Sequence, residues 1–213
     1  MNTNKSKTNK NILFTCILTL VIILFCGIVY ATQGDNLAMI FGKQQAEILA
    51  NAGDSIVATI DGEKITKKGF DSYKLFVNSG ETKLSDSQIL DKILERKVIY
   101  DEAVKDGIVA TDEEIANAIK TAQSVISESN DQYISFKDYI SGLNMTEDQY
   151  WESVKPAYKK FVTCGKFKNA LKVKYSNDNK IADKTELNNK FRDFYYQYVG
   201  DLKSKAKVES EIK

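Results

Sequence analysis

Apolar residues recur at helical spacing through the middle of the chain, which predicts a series of amphipathic helices. Ser85 and Thr111 each stand three residues before a Gln or Glu, the spacing of a capping box that begins a helix. The stripes behind them comprise Ile89, Ile93, Leu94, Val98, Ile99 and Ala103, and then Ile115, Ala118, Ile119, Ala122, Val125 and Ile126. Residues 35–52 have a looser apolar face and are predicted to form an earlier helix.

A long aromatic helix is predicted in the second half of the chain. Thr146 stands three residues before Gln149, and Pro156 should bend the helix that follows because its ring removes a backbone hydrogen bond. The helix is predicted to reach about residue 173 by its apolar spacing. Its aromatic stripe comprises Tyr150, Tyr158 and Phe161, with Val154, and Trp151 lies beside it.

Shorter helices flank this long one. Residues 135–142 are predicted to form a short helix that contains Phe136, Tyr139 and Ile140. Residues 175–179 are polar and are predicted to form a loop, after which a helix restarts at Asp183 or Thr185. That last helix carries Leu187, Phe191, Phe194, Tyr195 and Tyr198.

Strand patterns stand at both ends of this helical region. Residues 56–60 are rich in β-branched side chains, and the Asp61-Gly62 dipeptide that follows suits a tight hairpin turn. Residues 63–65 can return as a second strand, and Thr66 can cap the next helix. Near the other end, Val and Ile alternate with charged residues over 206–212, which predicts an exposed edge strand.

An uncharged apolar run, residues 12–29, has the length of a transmembrane helix, about 27 Å at 1.5 Å per residue. Lys5, Lys7 and Lys10 precede it, which predicts a cytoplasmic N-terminus and a body on the other side of the membrane. The length of the run favours a retained single-pass anchor, while cleavage as a signal after Ala31 stays open. Lipidation at Cys26 is disfavoured by the bulky Phe25 before it.

Charge and composition exclude several classes of function. The net charge is +1 and the lysines before the apolar run account for it, so the body has no basic footprint for nucleic acid. The chain contains no histidine, which excludes His-based catalysis and His-ligated metals. Cys164 is the one cysteine outside the apolar run and is expected to be a free, partly buried thiol. Asp112, Glu113 and Glu114 are expected to complement a helix N-terminus rather than to bind metal.

Two stretches resemble SurA- and PrsA-type foldases, which are extracytoplasmic chaperones of bacteria. One is SIVATIDGEKITKKGFDSY, residues 55–73. The other is ILERKVIYDEAVKDGIVATDEEI, residues 93–115, with the helix, the Gly-Ile turn and the Thr-Asp-Glu-Glu-Ile start of that family. The Gly142-Leu143 turn and the helix after Thr146 follow in the same order. The resemblance implies that the last helix and the C-terminal strand return to pack with the N-terminal segment.

The chain departs from that family at one place. In SurA- and PrsA-type proteins, parvulin isomerase domains of about a hundred residues stand between the long helix and the last helix, whereas here about eleven residues, 174–184, occupy the place. Parvulin sites also use histidines, and this chain has none. The resemblance therefore implies a non-enzymatic chaperone module without prolyl isomerase activity, and neither a cofactor nor a metal.

The expected fold is mainly α, with a small β-hairpin joined by the C-terminal strand. We expect a cytoplasmic tail at residues 1–11, a transmembrane anchor or signal at 12–31, a juxtamembrane helix at 32–53 and a SurA/PrsA-like chaperone module at 54–213. The helix at 32–53 could lie on the membrane or pack on the module. A homodimer also stays open.

The expected function is to hold unfolded exported polypeptides at the outer face of a bacterial cell membrane, and no nucleic acid is expected as a partner. The alternative is a cell-surface adaptor of the same fold that binds one dedicated protein. Weak, adaptable apolar contact would serve the first function, because exposed apolar patches mark interaction sites. The candidate client-binding residues are Trp151, Tyr158, Phe194, Tyr195, Tyr196 and Tyr198.

Overall fold

The computed structural model describes residues 37–80 and 82–212, and within them the protein is mainly helical with one small sheet. The helices are α1 Leu37–Asn51, α2 Lys67–Val77, α3 Asp86–Lys105, α4 Asp112–Ser127, α5 Asn130–Gly142, α6 Glu147–Asp178 and α7 Lys184–Lys205. The strands are β1 Ile56–Ile60, β2 Glu63–Thr66 and β3 Val208–Ser210. The predicted mainly α fold with a hairpin and a C-terminal strand is confirmed.

Side-chain caps begin the helices where the sequence predicts them. Ser85, Thr111 and Thr146 each form a complete capping box, in which the hydroxyl accepts from the N3 backbone and the N3 side chain accepts from the cap backbone. Each box satisfies two amide groups that would otherwise lack a partner at the start of a helix. Thr66 and Asp183 cap α2 and α7 with single hydrogen bonds.

The sheet has the order β2-β1-β3 and is antiparallel throughout. Asp61 and Gly62 form the hairpin turn with positive φ values of 50° and 78°. Asp61 also fixes the C-terminal segment, because its amide donates to the Lys207 carbonyl at 2.9 Å and its carboxylate accepts from the Lys207 amide at 2.8 Å. The C-terminal strand therefore completes the N-terminal hairpin, as the resemblance implied.

α1 packs within the body. Phe41 is buried, and its ring meets the Phe76 ring of α2 at a centroid distance of 4.9 Å. Gly42 and Gly142 let α1 and α5 cross closely, since a Cβ built on Gly42 would lie 2.2 Å from the Tyr139 carbonyl oxygen. Of the two placements that the sequence allowed for residues 32–53, the described part of that segment thus packs on the module.

A partly buried ammonium ties the hairpin to α3. The Lys97 Nζ donates to Glu63 of β2 at 2.7 Å and to Asp101, one turn along α3, at 2.6 Å. Burial disfavours the charge of Lys97, but these two hydrogen bonds outweigh it and raise its pKa. The turn of the hairpin is therefore held against the helix by a charge that has two partners.

Two element boundaries differ from the sequence prediction. α5 begins at Asn130 rather than near Ser135, because Ser129 caps it by accepting from the Gln132 amide. α6 continues through residues 175–178, where a loop was predicted. The Tyr175 ring stacks on Phe194 of α7 at 4.6 Å, and this contact holds the polar last turn in the helix. Pro156 lies inside α6 without ending it.

The predicted anchor, residues 12–31, lies outside the described residues. Within residues 37–80 and 82–212, none of the helices has the length and apolar character needed to span a membrane.

Candidate functional site

An aromatic row lies along the contact between α6 and α7. Tyr175 of α6 stacks on Phe194 at 4.6 Å, and Phe191 lies 5.7 Å from Tyr195. The row continues toward the body, where Tyr198 meets Phe167 of α6 at 6.2 Å. α7 presents these rings because aromatic residues recur on it at three- and four-residue spacing, so that they share one side of the helix.

The row is only partly covered. Phe191 is buried, whereas Phe194, Tyr195 and Tyr198 are half-buried. Tyr196, on the outer side of α7, is 69% exposed, the most exposed of the large apolar side chains in the described part of the chain. Four of the predicted client-binding residues therefore lie together on α7, and three of them are edges of a packed row rather than free side chains.

Tyr195 and Tyr196 also line a groove of about 340 Å³ between α6 and α7. The Lys168 ammonium lies over the Tyr195 ring, 4.5 Å from its centroid. Burial raises the pKa of Tyr195 to about 12, so its hydroxyl stays neutral at physiological pH. The groove thus combines uncharged aromatic surface with lysine side chains.

The other two predicted residues lie in the core. Trp151 is 6% exposed and packs on Tyr150 and Phe136 at ring distances of 5.2 and 5.4 Å. Tyr158 is 5% exposed in the same core cluster. Their side chains offer almost no surface to a polypeptide, because the faces of α6 that carry them are covered by the helices before it. Their burial contradicts the expectation that Trp151 and Tyr158 contact a client, and it indicates that both residues stabilise the core.

The burial of Tyr158 predicts a loss of stability at alkaline pH. Burial raises the pKa of Tyr158 to about 12, above about 10 for an exposed tyrosine. Because the unfolded chain then releases this proton first, the stability is fully present below about pH 10 and is lost as the pH rises toward 12. We expect urea midpoints to fall over this window, and to fall less in Tyr158→Phe. An equal fall in both proteins would assign the effect to other groups.

Phe161 does not share the burial of the other aromatic residues in its stripe. It continues the stripe of Tyr150 and Tyr158 but is 53% exposed. The buried face of α6 changes at this point: Thr163 accepts from the Ala110 amide at 2.9 Å, and Phe167 packs with Ile99 of α3 and Val199 of α7. α6 leaves one set of neighbours and meets another, and a single periodic stripe does not contain that information.

The polar groups near the site indicate structural roles. Burial raises the pKa of the Cys164 thiol to about 11, which leaves it protonated and weakly nucleophilic at neutral pH. Glu114 accepts from the Thr111 amide in the capping box and pairs with Lys166 at 2.7 Å. In the described part of the chain, no group of three acidic or cysteine side chains could hold a metal ion.

Comparison with known proteins agrees with this architecture. The model of the SurA-like N-terminal domain matches residues 1–159, which is most of the chain and includes the hairpin, the capped helices α3 and α4 and the first part of α6. No curated protein and no solved structure matches the chain. The chain belongs to the SurA-like N-terminal domain family.

Proposed function

We propose that this protein is an extracytoplasmic chaperone that holds unfolded exported polypeptides and has no prolyl isomerase activity. Membership of the SurA-like N-terminal domain family is consistent with a chaperone-like role in general. The observation that carries the finer proposal is the aromatic surface of α7, where Tyr196 is 69% exposed beside half-buried Phe194, Tyr195 and Tyr198.

The chemistry of this surface suits weak and general binding. Burying an apolar side chain contributes about 25 cal/mol per Å² of surface removed from water, without demanding a particular geometry. Tyrosine adds a hydroxyl that can donate to an exposed carbonyl of an unfolded chain. No nucleophile, base or cofactor is needed for such binding, since it rests on contact area alone.

The proposed location follows from the sequence. The apolar run at residues 12–29 would hold the body at the outer face of the membrane, with Lys5, Lys7 and Lys10 on the cytoplasmic side. α1 begins a few residues after that run and packs on the body. A retained anchor would therefore keep the aromatic surface close to the membrane that exported chains cross.

Aggregation assays test the holding activity. Residues 35–213, which contain the whole described fold, are expected to suppress the aggregation of two unrelated unfolding proteins at near-stoichiometric ratio. Changing Tyr195, Tyr196 and Tyr198 together to Ser should reduce the suppression by about half or more, because it removes the exposed Tyr196 ring and two of the half-buried rings beside it. Light scattering measures the effect.

Phe161→Ser is the matched control, since Phe161 is also exposed on this pair of helices but lies outside the aromatic row. It should leave the suppression unchanged, and circular dichroism should show both variants folded. If the wild type suppresses the aggregation of neither protein, the proposal is contradicted. The result would favour the adaptor function, and the next step would be to search for its single partner. Turnover of a proline peptide would contradict the absence of isomerase activity.

A further inference from the structure

The groove between α6 and α7 has a distinctive composition. Its aromatic lining consists of Phe191, Tyr195 and Tyr196. Lysine and arginine side chains line it as well, together with two amides and one carboxylate. The polar lining residues are Glu95, Lys168, Asn169, Lys172, Asn188 and Arg192. With three cations against one anion, the lining carries an excess of positive charge.

The lysine side chains belong to a wider basic stretch of α6. Residues 155–174 contain seven lysines and no Asp or Glu, although the whole chain is nearly neutral. Three of the seven pair with carboxylates: Lys155 with Glu152 one turn earlier in α6, Lys160 with Glu63 and Lys166 with Glu114. The other four, Lys159, Lys168, Lys172 and Lys174, form no salt bridge within the described residues.

Two of these unpaired lysines line the groove. Lys168 and Lys172 stand four residues apart on α6, so they share one face of the helix. The Lys168 ammonium lies 4.5 Å from the centroid of the Tyr195 ring. The Lys172 ammonium lies 5.9 Å from the centroid of the Phe191 ring. Lys172 also donates to the Asn188 amide oxygen. Arg192 is paired with its neighbour Asp193 at 3.2 Å, so within the described part of the chain Lys168 and Lys172 are the cations of the groove without a carboxylate partner.

We propose that this groove binds extended polypeptide segments in which acidic side chains alternate with apolar ones. The acidic side chains would pair with Lys168 and Lys172, while the apolar side chains would lie on Tyr195 and Tyr196, the two groove rings that are not buried. Charge-assisted hydrogen bonds from ammonium to carboxylate are stronger at a partly covered surface than in open water. The inference rests on the proposed function and specifies its clients.

The shape of the groove favours a polypeptide over a lipid surface. A concave groove of about 340 Å³ with aromatic lining admits a few side chains, whereas a membrane would meet the lysines along a plane. Basic and mixed segments would be disfavoured, because they would place like charges beside Lys168 and Lys172. Glu95 stands on the α3 side and would repel an acidic side chain there, so the acidic positions should lie toward α6.

Peptide binding to the full chain tests the proposal. Three fluorescent peptides of equal length and equal phenylalanine content would carry Glu, Ser or Lys at the alternate positions. We expect the Glu peptide to bind about fivefold or more tightly than the Ser peptide, and the Lys peptide to bind most weakly. The preference should shrink as salt is added, because the charges are near the surface.

Charge reversal locates the preference. Lys168→Glu with Lys172→Glu should abolish or reverse it. The matched control is Lys64→Glu with Lys159→Glu, which changes the net charge equally at two exposed lysines that lie outside the groove and form no salt bridge in the described chain. The control should keep the preference. Lys168→Gln with Lys172→Gln, which is milder for folding, removes both charges and should abolish most of the preference without reversing it.

Other outcomes would contradict the inference. Equal loss in both charge-reversal variants would mean a general electrostatic effect rather than this groove. If Lys168→Glu with Lys172→Glu leaves the peptide affinities unchanged but weakens binding to vesicles that contain phosphatidylglycerol, the lysines bind a membrane surface instead. If the three peptides bind alike while the wild type still suppresses aggregation, the inference fails and the proposed function stands. If the three peptides bind alike and the wild type also fails to suppress aggregation, both this inference and the proposed function fail.

Discussion

Gly42→Ala is expected to lower the free energy of unfolding by about 3 kcal/mol, although alanine is the better helix former by about 1 kcal/mol. The new Cβ would lie 2.2 Å from the Tyr139 carbonyl oxygen and 3.0 Å from the Gly142 Cα, both of them backbone atoms of α5 that cannot rotate away. α1 would have to move off α5, which would loosen Phe41 from its core contacts. Urea denaturation of residues 35–213 measures the change.

Gly165→Ala is the matched control. Gly165 also lies inside a helix, α6, but a Cβ at that position would meet no atom within 4 Å. Only the helix preference then acts, and we expect this variant to be more stable by about 0.5–1 kcal/mol. Equal effects of the two alanine substitutions would contradict the close crossing of α1 and α5. They would indicate that residues 37–51 do not pack on the module.

Trp151→Ala is expected to lower the free energy of unfolding by about 3–5 kcal/mol, enough to unfold a marginally stable domain. The indole is 6% exposed, and its removal leaves a cavity beside the rings of Phe136 and Tyr150. Loss of holding activity in this variant would accordingly follow from loss of the fold. Thermal melting followed by circular dichroism, with aggregation suppression measured on the same sample, separates the two effects.

Tyr196→Ala provides the comparison for Trp151→Ala. The Tyr196 side chain is 69% exposed, so its truncation should change stability by less than about 0.5 kcal/mol. It should nevertheless weaken aggregation suppression if the aromatic surface of α7 holds clients. A stable Trp151→Ala variant with reduced suppression would reverse the assignment, and would place the client-binding surface on the first half of α6.

Local signals in the sequence predicted most of the fold. Three capping boxes, at Ser85, Thr111 and Thr146, are formed as predicted, since both partners of each box lie within four residues of each other. The Asp61-Gly62 turn is likewise a short-range feature, because its positive φ values depend on two neighbouring residues. The pairing of the C-terminal strand with β1 came from the family resemblance and not from local pattern.

The exposure of the candidate client-binding residues was harder to predict, because exposure depends on the elements that surround a helix. Trp151 and Phe161 lie on one helix with similar apolar patterns around them, yet the first is 6% and the second 53% exposed. The difference arises where α6 passes from one group of helices to another. The proposed role of Lys168 and Lys172 was not predicted either, although the acid-free run at residues 155–174 is visible in the sequence.

The position of β3 has a consequence for how the chain acquires its fold. Thr59 of β1 and its side-chain partner Glu209 are separated by 150 residues, so the sheet is among the most non-local parts of the described structure. Contacts of high sequence separation form slowly, because closing the long intervening chain into a loop costs entropy before the contact is gained. During synthesis from the N-terminus, β1 therefore keeps an unpaired edge until residues 208–210 have been added. A protein proposed to shelter incomplete chains must pass through the same vulnerable state itself.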